Sequence, residues 1–135
     1  MKLLANLDFD GDCREAFTAY AGILGGEIRA MISHRDAPDM GPPVPEDRMD
    51  RIIHAWLDVG DQTLMGQDMQ DVDGRKCMSV MAQADTPEEA RRIFAALAEG
   101  GQIQMPIDAQ PWSAAFGVLT DRWGIPWVID TAEQG

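Results

Sequence analysis

At 135 residues, 45% of them hydrophobic, the chain has the size and apolar content of one globular domain with a buried core. The formal net charge is −12 and the 11 Lys and Arg residues are scattered, a balance that excludes nucleic acid and an anionic membrane surface as partners. No run approaches the roughly 18 apolar residues of a membrane span.

Near Met1 the apolar residues are interrupted by Asn6, Asp8 and Asp10, so no secretory leader is expected. Alternation of Ala5, Leu7 and Phe9 with Asn6 and Asp8 predicts a first strand over Leu3 to Phe9. From Asp12 the order Asp12-Cys13-Arg14-Glu15 has the form of a capping box. Cys13, Ala16, Phe17, Tyr20, Ala21 and Leu24 then recur at helical spacing, and Gly25-Gly26 ends the helix. A strand is expected over Ile28 to Ile32. The segment from His34 to Asp50 holds Pro38, Pro42, Pro43 and Pro45 and reads as a long loop, either plain surface or a lid. Ile53 to Val59 and Thr63 to Asp68 flank Gly60-Asp61, a hairpin signal. Ile53, Ala55, Leu57 and Val59 are assigned to the core face of the first of these strands, and His54, Trp56 and Asp58 to the other.

The second half repeats this grammar. A strand over Met78 to Ala84 leads to Thr86-Pro87-Glu88-Glu89, which supplies a cap, a proline at the first helical position and the capping-box acid. Ala90, Ile93, Phe94, Leu97 and Ala98 form the stripe, and Gly100-Gly101 the stop. Strands are expected over Gln102 to Ile107, Phe116 to Thr120 and Pro126 to Asp130, the last two flanking the turn Asp121-Arg122-Trp123-Gly124. Glu15-Ala16 maps onto Glu89-Ala90, an offset of 74 (15 to 89). Gly25-Gly26-Glu27-Ile28 maps onto Gly100-Gly101-Gln102-Ile103, an offset of 75 (25 to 100). This is an internal repeat, β-α-β-β-β twice, the first over about residues 1–70 and the second over about 75–135. The fold class is α+β in a single domain spanning residues 1–135, with two curved mixed sheets around a shared cavity.

Leu7-Asp8-Phe9-Asp10-Gly11-Asp12-Cys13-Arg14-Glu15-Ala16, with Tyr20 and Leu24-Gly25-Gly26-Glu27, resembles the opening of the PhnB-like branch of the vicinal-oxygen-chelate superfamily. Ile53-His54-Ala55, Gly60-Asp61 and Leu64-Met65-Gly66-Gln67-Asp68 are similar to its middle. Trp112-Ser113-Ala114-Ala115-Phe116-Gly117 and Thr120-Asp121-Arg122-Trp123-Gly124-Ile125-Pro126-Trp127 carry its most specific signature. The resemblance implies the paired βαβββ fold and a homodimer. It also brings in a superfamily of glyoxalases, extradiol dioxygenases, epimerases, fosfomycin-modifying enzymes and metal-free antibiotic-binding proteins. Its enzymes mostly hold a divalent metal with His and Glu from four strands. The matching positions here are Leu4 or Ala5, Gly66, Ser79 and Val128, which offer hydrocarbon, glycine and one hydroxyl. A shift of two residues would present Asp68, Cys77 and Asp130 instead.

The expected function is therefore metal-free and cofactor-free binding of a small organic molecule in a dimer, with catalysis left open. The expected lining is His54, Trp56, Asp68, Ser79, Trp112 and Asp130. His54 could act as an acid or base near neutral pH, or be hydrogen-bonded within the sheet. Trp127, in step with Ile129, is assigned to the core. A glyoxalase- or dioxygenase-type enzyme with displaced metal ligands, and a protein-interaction module with a vestigial cavity, are the alternatives. Some relatives carry a methyltransferase label, but no glycine-rich strand-to-helix turn is present to cradle a nucleotide cofactor. Cys13 and Cys77, the only cysteines, form no zinc spacing, and a reducing cytoplasm is the expected compartment.

Overall fold

The computed structural model describes residues 2, 4–39, 43–69 and 78–131. The chain divides into two compact units, Met1–Val72 and Asp73–Gly135. Each is one four-stranded mixed sheet with one helix, so the expected α+β class with two βαβββ repeats is borne out.

In the first unit β1 (Ala5–Phe9) is followed by α1 (Cys13–Leu24), β2 (Glu27–Ser33), β3 (Ile52–Val59) and β4 (Gln62–Asp68). The strand order is β1-β4-β3-β2, with β1 parallel to β4 and the other pairs antiparallel. The second unit runs β5 (Val80–Ala84), α2 (Pro87–Ala98), β6 (Gln102–Gln110), β7 (Ser113–Thr120) and β8 (Pro126–Thr131), in the order β5-β8-β7-β6. Both helices fall where periodicity and caps predict them. β6 and β7 extend beyond the expected strands, to Gln110 and back to Ser113, because their hairpin closes on a tight turn at Pro111-Trp112.

The core lies between each helix and one sheet face. In the first unit Cys13, Ala16, Phe17 and Tyr20 of α1 are buried against Phe9, Ala55 and Leu57. The rings of Phe9, Phe17 and Tyr20 sit with centroids 5.8 to 6.5 Å apart. Each such side chain contributes about 1.5–3 kcal/mol through apolar area removed from water. In the second unit Ala90, Ile93, Phe94 and Leu97 of α2 cover Ala115, Leu119, Trp127 and Ile129. Trp127 is fully buried, where its alternation with Ile129 puts it.

Two local expectations need correction. Asp12 precedes α1 but makes no side-chain cap. Its place is taken by Asp68 at the end of β4, whose Oδ1 accepts from the amides of Gly11 at 2.8 Å and Cys13 at 3.1 Å. On β3 the buried residue at the start is Ile52, not Ile53, because the β2–β3 register shifts between Ile32 and Ser33. The cap of α2 is as expected: the Thr86 hydroxyl accepts from the Glu89 amide at 3.2 Å. The loop from His34 to Asp50 contains a short 3-10 turn, Glu46–Arg48, and Arg35 donates to Asp50 and Glu46 at 2.9 Å each.

Candidate functional site

With one face of each sheet under its helix, the candidate surface is the other, open face. Strand alternation assigns residues to it unambiguously. Asp8 and Gln67 are paired across β1 and β4, and the Gln67 amide donates to Asp8 Oδ1 at 3.1 Å. His54 stands one step beyond the Ala55–Gly66 pair, on the face shared with Gln67. Its ring meets that of Trp56 edge-on at 6.1 Å. Trp56 is paired with Met65, and its indole N–H donates to Asp58 at 2.7 Å. Hydrogen bonds from the Thr63 hydroxyl and the Trp56 indole hold the Asp58 carboxyl below its ordinary range.

This geometry corrects the strand match used for the metal positions. A Cβ built on Gly66 would lie 2.6 Å from Phe17 Cε1, so position 66 faces α1, and Ala5 shares the parity of buried Phe9. Ligands at those two positions would enter the helix interface, not the open face. Asp68 is likewise turned inward: besides its two bonds at the start of α1, its Oδ2 accepts from the Ile52 amide at 2.8 Å. Both oxygens of this expected lining residue tie the backbone together. Cys77, the third member of the shifted set, lies outside the described residues. Among the described residues no three His, Cys, Asp or Glu side chains gather as a metal site would require.

The open face of the second sheet carries two parallel rows. One is apolar: Met81, Val128, Val118 and Met105 are successive cross-strand partners. The next row is Gln83, Asp130, Phe116 and Asp108. Trp112, in the β6–β7 turn, stands edge-to-face on Phe116, with centroids 5.4 Å apart and planes at 81°. Asp130 Oδ1 accepts from the Ser113 hydroxyl and from the Thr131 amide, while its Oδ2 has the Gln83 amide at 3.5 Å. Ser79 is exposed immediately before β5.

The structure thus brings Trp112 and Asp130 to one face of one sheet, and His54 and Trp56 to the open face of the other. Phe116, at the start of an expected strand, is not among the expected lining residues. Its neighbours Ala115 and Gly117 are small and buried, and that alternation is the signal that marks it as outward. Gln83 and Gln67 were missed because only cross-strand register places them beside a carboxylate.

Residues 1–130 match the family described as 3-demethylubiquinone-9 3-methyltransferase. The chain belongs to this family. Protein PA1353 of Pseudomonas aeruginosa is similar at 39% identity, with a TM-score of 0.86 and 99% of each chain covered. A Bacillus cereus PhnB protein, described as a putative 3-demethylubiquinone-9 3-methyltransferase, is 28% identical at a TM-score of 0.81, covering 98% of this chain and 100% of its own. Protein YjdN of Escherichia coli K12 is 28% identical over 99% of this chain and 97% of its own. The Asp121-Arg122-Trp123-Gly124 signature has a structural reason. Buried Asp121 accepts from the amides of Trp123 at 2.9 Å and Ile125 at 3.0 Å and from the Trp127 indole at 2.9 Å, fixing the β7–β8 turn.

Proposed function

We propose that this protein binds a small organic molecule, without a metal, on the open faces of its sheets, and that it does so as a homodimer in the cytoplasm. The observation that carries the reading is the exposed apolar surface of the second sheet. Met81, Met105 and Trp112 are 57%, 40% and 53% exposed, and they adjoin Phe116, Val118 and Val128. A contiguous apolar face next to a few fixed polar groups is what ligand sites use: area for affinity, hydrogen bonds for orientation. Methionine thioethers adapt such a face to irregular shapes. His54 and Trp56 give the first sheet a smaller version of the same arrangement, with Ser79 at the start of the second.

The metal-free part of the reading is supported by the way Asp68 is held: both of its oxygens already accept from backbone amides, at the start of α1 and the start of β3, which leaves it turned away from the open face. The homodimer is supported by the four strand edges the two sheets present, which pairing or packing between copies would protect. The methyl transfer named for the family has no counterpart here in a glycine-rich turn; the strand-to-helix turns read Asp10-Gly11-Asp12 and Asp85-Thr86.

The test is metal analysis of untagged protein purified without chelator, followed by a thermal-shift screen of small organic compounds. The expected result is metal well below one equivalent and compounds that raise the melting temperature of the wild type but not of Trp112→Ala. Stoichiometric zinc, nickel, manganese or iron, lost on Asp130→Ala, would replace this reading with that of a metalloenzyme. Light scattering is expected to give twice the 14.8 kDa of the chain.

A further inference from the structure

Resting on that reading, we infer that the second sheet's open face selects an organic cation, a protonated amine or quaternary ammonium carried on an apolar body. Three features of one small area point to this chemistry. The first is the aromatic corner: Trp112 and Phe116 meet at 81° with centroids 5.4 Å apart, forming two walls rather than a flat stack. Such walls present π-electron density to a cation, and the indole is the strongest of the common ring partners. Trp112 is 53% exposed, so this wall is accessible.

The second feature is the carboxylate beside it. Asp130 is the direct cross-strand partner of Phe116, and both stand on the face away from α2. Its Oδ1 is fixed by the Ser113 hydroxyl and the Thr131 amide, which orients the group. Its Oδ2 has one long contact, 3.5 Å, from the Gln83 amide. Among the described residues no Lys or Arg forms an ion pair with Asp130. The acceptor is oriented, and its second oxygen is available to a cationic N–H or N–CH₃ group. Asp108 closes the other end of the row, as a second negative charge across β7 from Asp130.

The third is the setting. The neighbouring row, Met81, Val128, Val118 and Met105, is wholly apolar and would take the hydrocarbon part of the molecule. A neutral ligand would gain from the apolar row but leave the carboxylates desolvated without a partner, and an anion would be repelled by them and by the net charge of −12.

Benzyltrimethylammonium and its uncharged carbon isostere, neopentylbenzene, isolate the charge, and ligand-observed NMR on the full chain reads both. The cation should bind about tenfold more tightly than the isostere, and added salt should weaken the cation alone. Asp130→Asn, whose amide oxygen can still accept from Ser113 and Thr131, should remove the preference, and Trp112→Leu should weaken both compounds. Equal binding of the two compounds, or an undiminished preference in Asp130→Asn, would overturn the inference. If the two compounds fail while neutral compounds from the thermal-shift screen bind and are lost in Trp112→Leu, cation selection is wrong and the binding reading stands. If nothing binds in either experiment, both are wrong.

Discussion

Each unit is tied by one carboxylate that collects three N–H groups, but the two do so over very different distances along the chain. Asp68 in the first unit reaches Gly11, Cys13 and Ile52, which are 57, 55 and 16 residues away. Asp121 in the second reaches Trp123, Ile125 and Trp127, only 2, 4 and 6 residues away. Asp121 makes a turn that its own segment specifies. Asp68 joins the start of α1, the end of β4 and the start of β3, so its bonds form only once the sheet has assembled. The same division appears in the caps: α2 is capped by Thr86 from its own turn, α1 by a residue from another strand.

Removing the two carboxylates should give the largest effects and break the symmetry between the units. Asp121 is 3% exposed, so Asp121→Ala removes a charged acceptor from buried donors, and a loss of about 3–5 kcal/mol is expected. Asp68 is half-buried, and Asp68→Ala should cost less, about 2–3 kcal/mol. Urea unfolding followed by circular dichroism measures both. Hydrogen exchange would show where each acts: the loss should concentrate at the start of α1 for Asp68 and at the β7–β8 turn for Asp121. Equal, diffuse loss for both would remove the distinction between long-range and local ties.

The division also explains what could be read in advance. Both helices, their glycine stops and the repeat were legible because caps, stripes and turns are short-range signals. The face assignments of Trp127 and His54 were legible too, since alternation needs only the strand itself. The positions of Ala5, Gly66 and Asp68 relative to the helix were not, because matching to metal-bearing relatives fixes a register only to within a residue or two, and one residue reverses the face. Asp12 met every local rule for a cap, yet its side chain makes no cap bond, and the first amide of α1, that of Cys13, goes to a carboxylate from β4. The Trp112–Phe116 corner needed the longer β6–β7 hairpin, which its exposed, mixed sequence did not announce.

A sharper comparison uses the repeat itself. Gly26 and Gly101 are equivalent, each following a stop glycine with φ of 70° or 76°. A Cβ on Gly26 would lie 2.7 Å from the Asp58 carbonyl oxygen, and one on Gly101 would lie 2.2 Å from that of Thr120. Neither backbone can yield cheaply, so alanine should destabilise at both places by about 1–3 kcal/mol, and more at Gly101. Thermal melting of the two variants gives the order; a larger effect at Gly26 would mean that the second unit accommodates strain more easily than its closer contact implies.

The smallest effect at neutral pH belongs to Cys13, which exists only in the first unit, since the second places Pro87 at the corresponding start of α2. A thiol at a helix N-terminus is ordinarily acidified by the aligned peptide dipoles. Here burial, with Asp68 beside it, outweighs that field and pushes the thiol up to about 12 from 9.0. The unfolded chain then loses its proton first as pH rises. The contribution of the buried neutral thiol to stability is therefore complete below pH 9, declines above it, and is gone once pH passes the folded value near 12. Wild-type stability should fall across this alkaline window more steeply than that of Cys13→Ala, with no difference in slope between pH 6 and 8. Because the Asp68 charge is the second cause of the shift, Asp68→Asn should bring the thiol's titration down. Ultraviolet absorbance of the thiolate at 240 nm, read as the difference between each protein and its Cys13→Ala counterpart, follows that titration directly. An unchanged midpoint in Asp68→Asn would mean that burial alone sets it, and that the carboxylate joining α1 to β4 is felt by the backbone but not by the thiol beneath it.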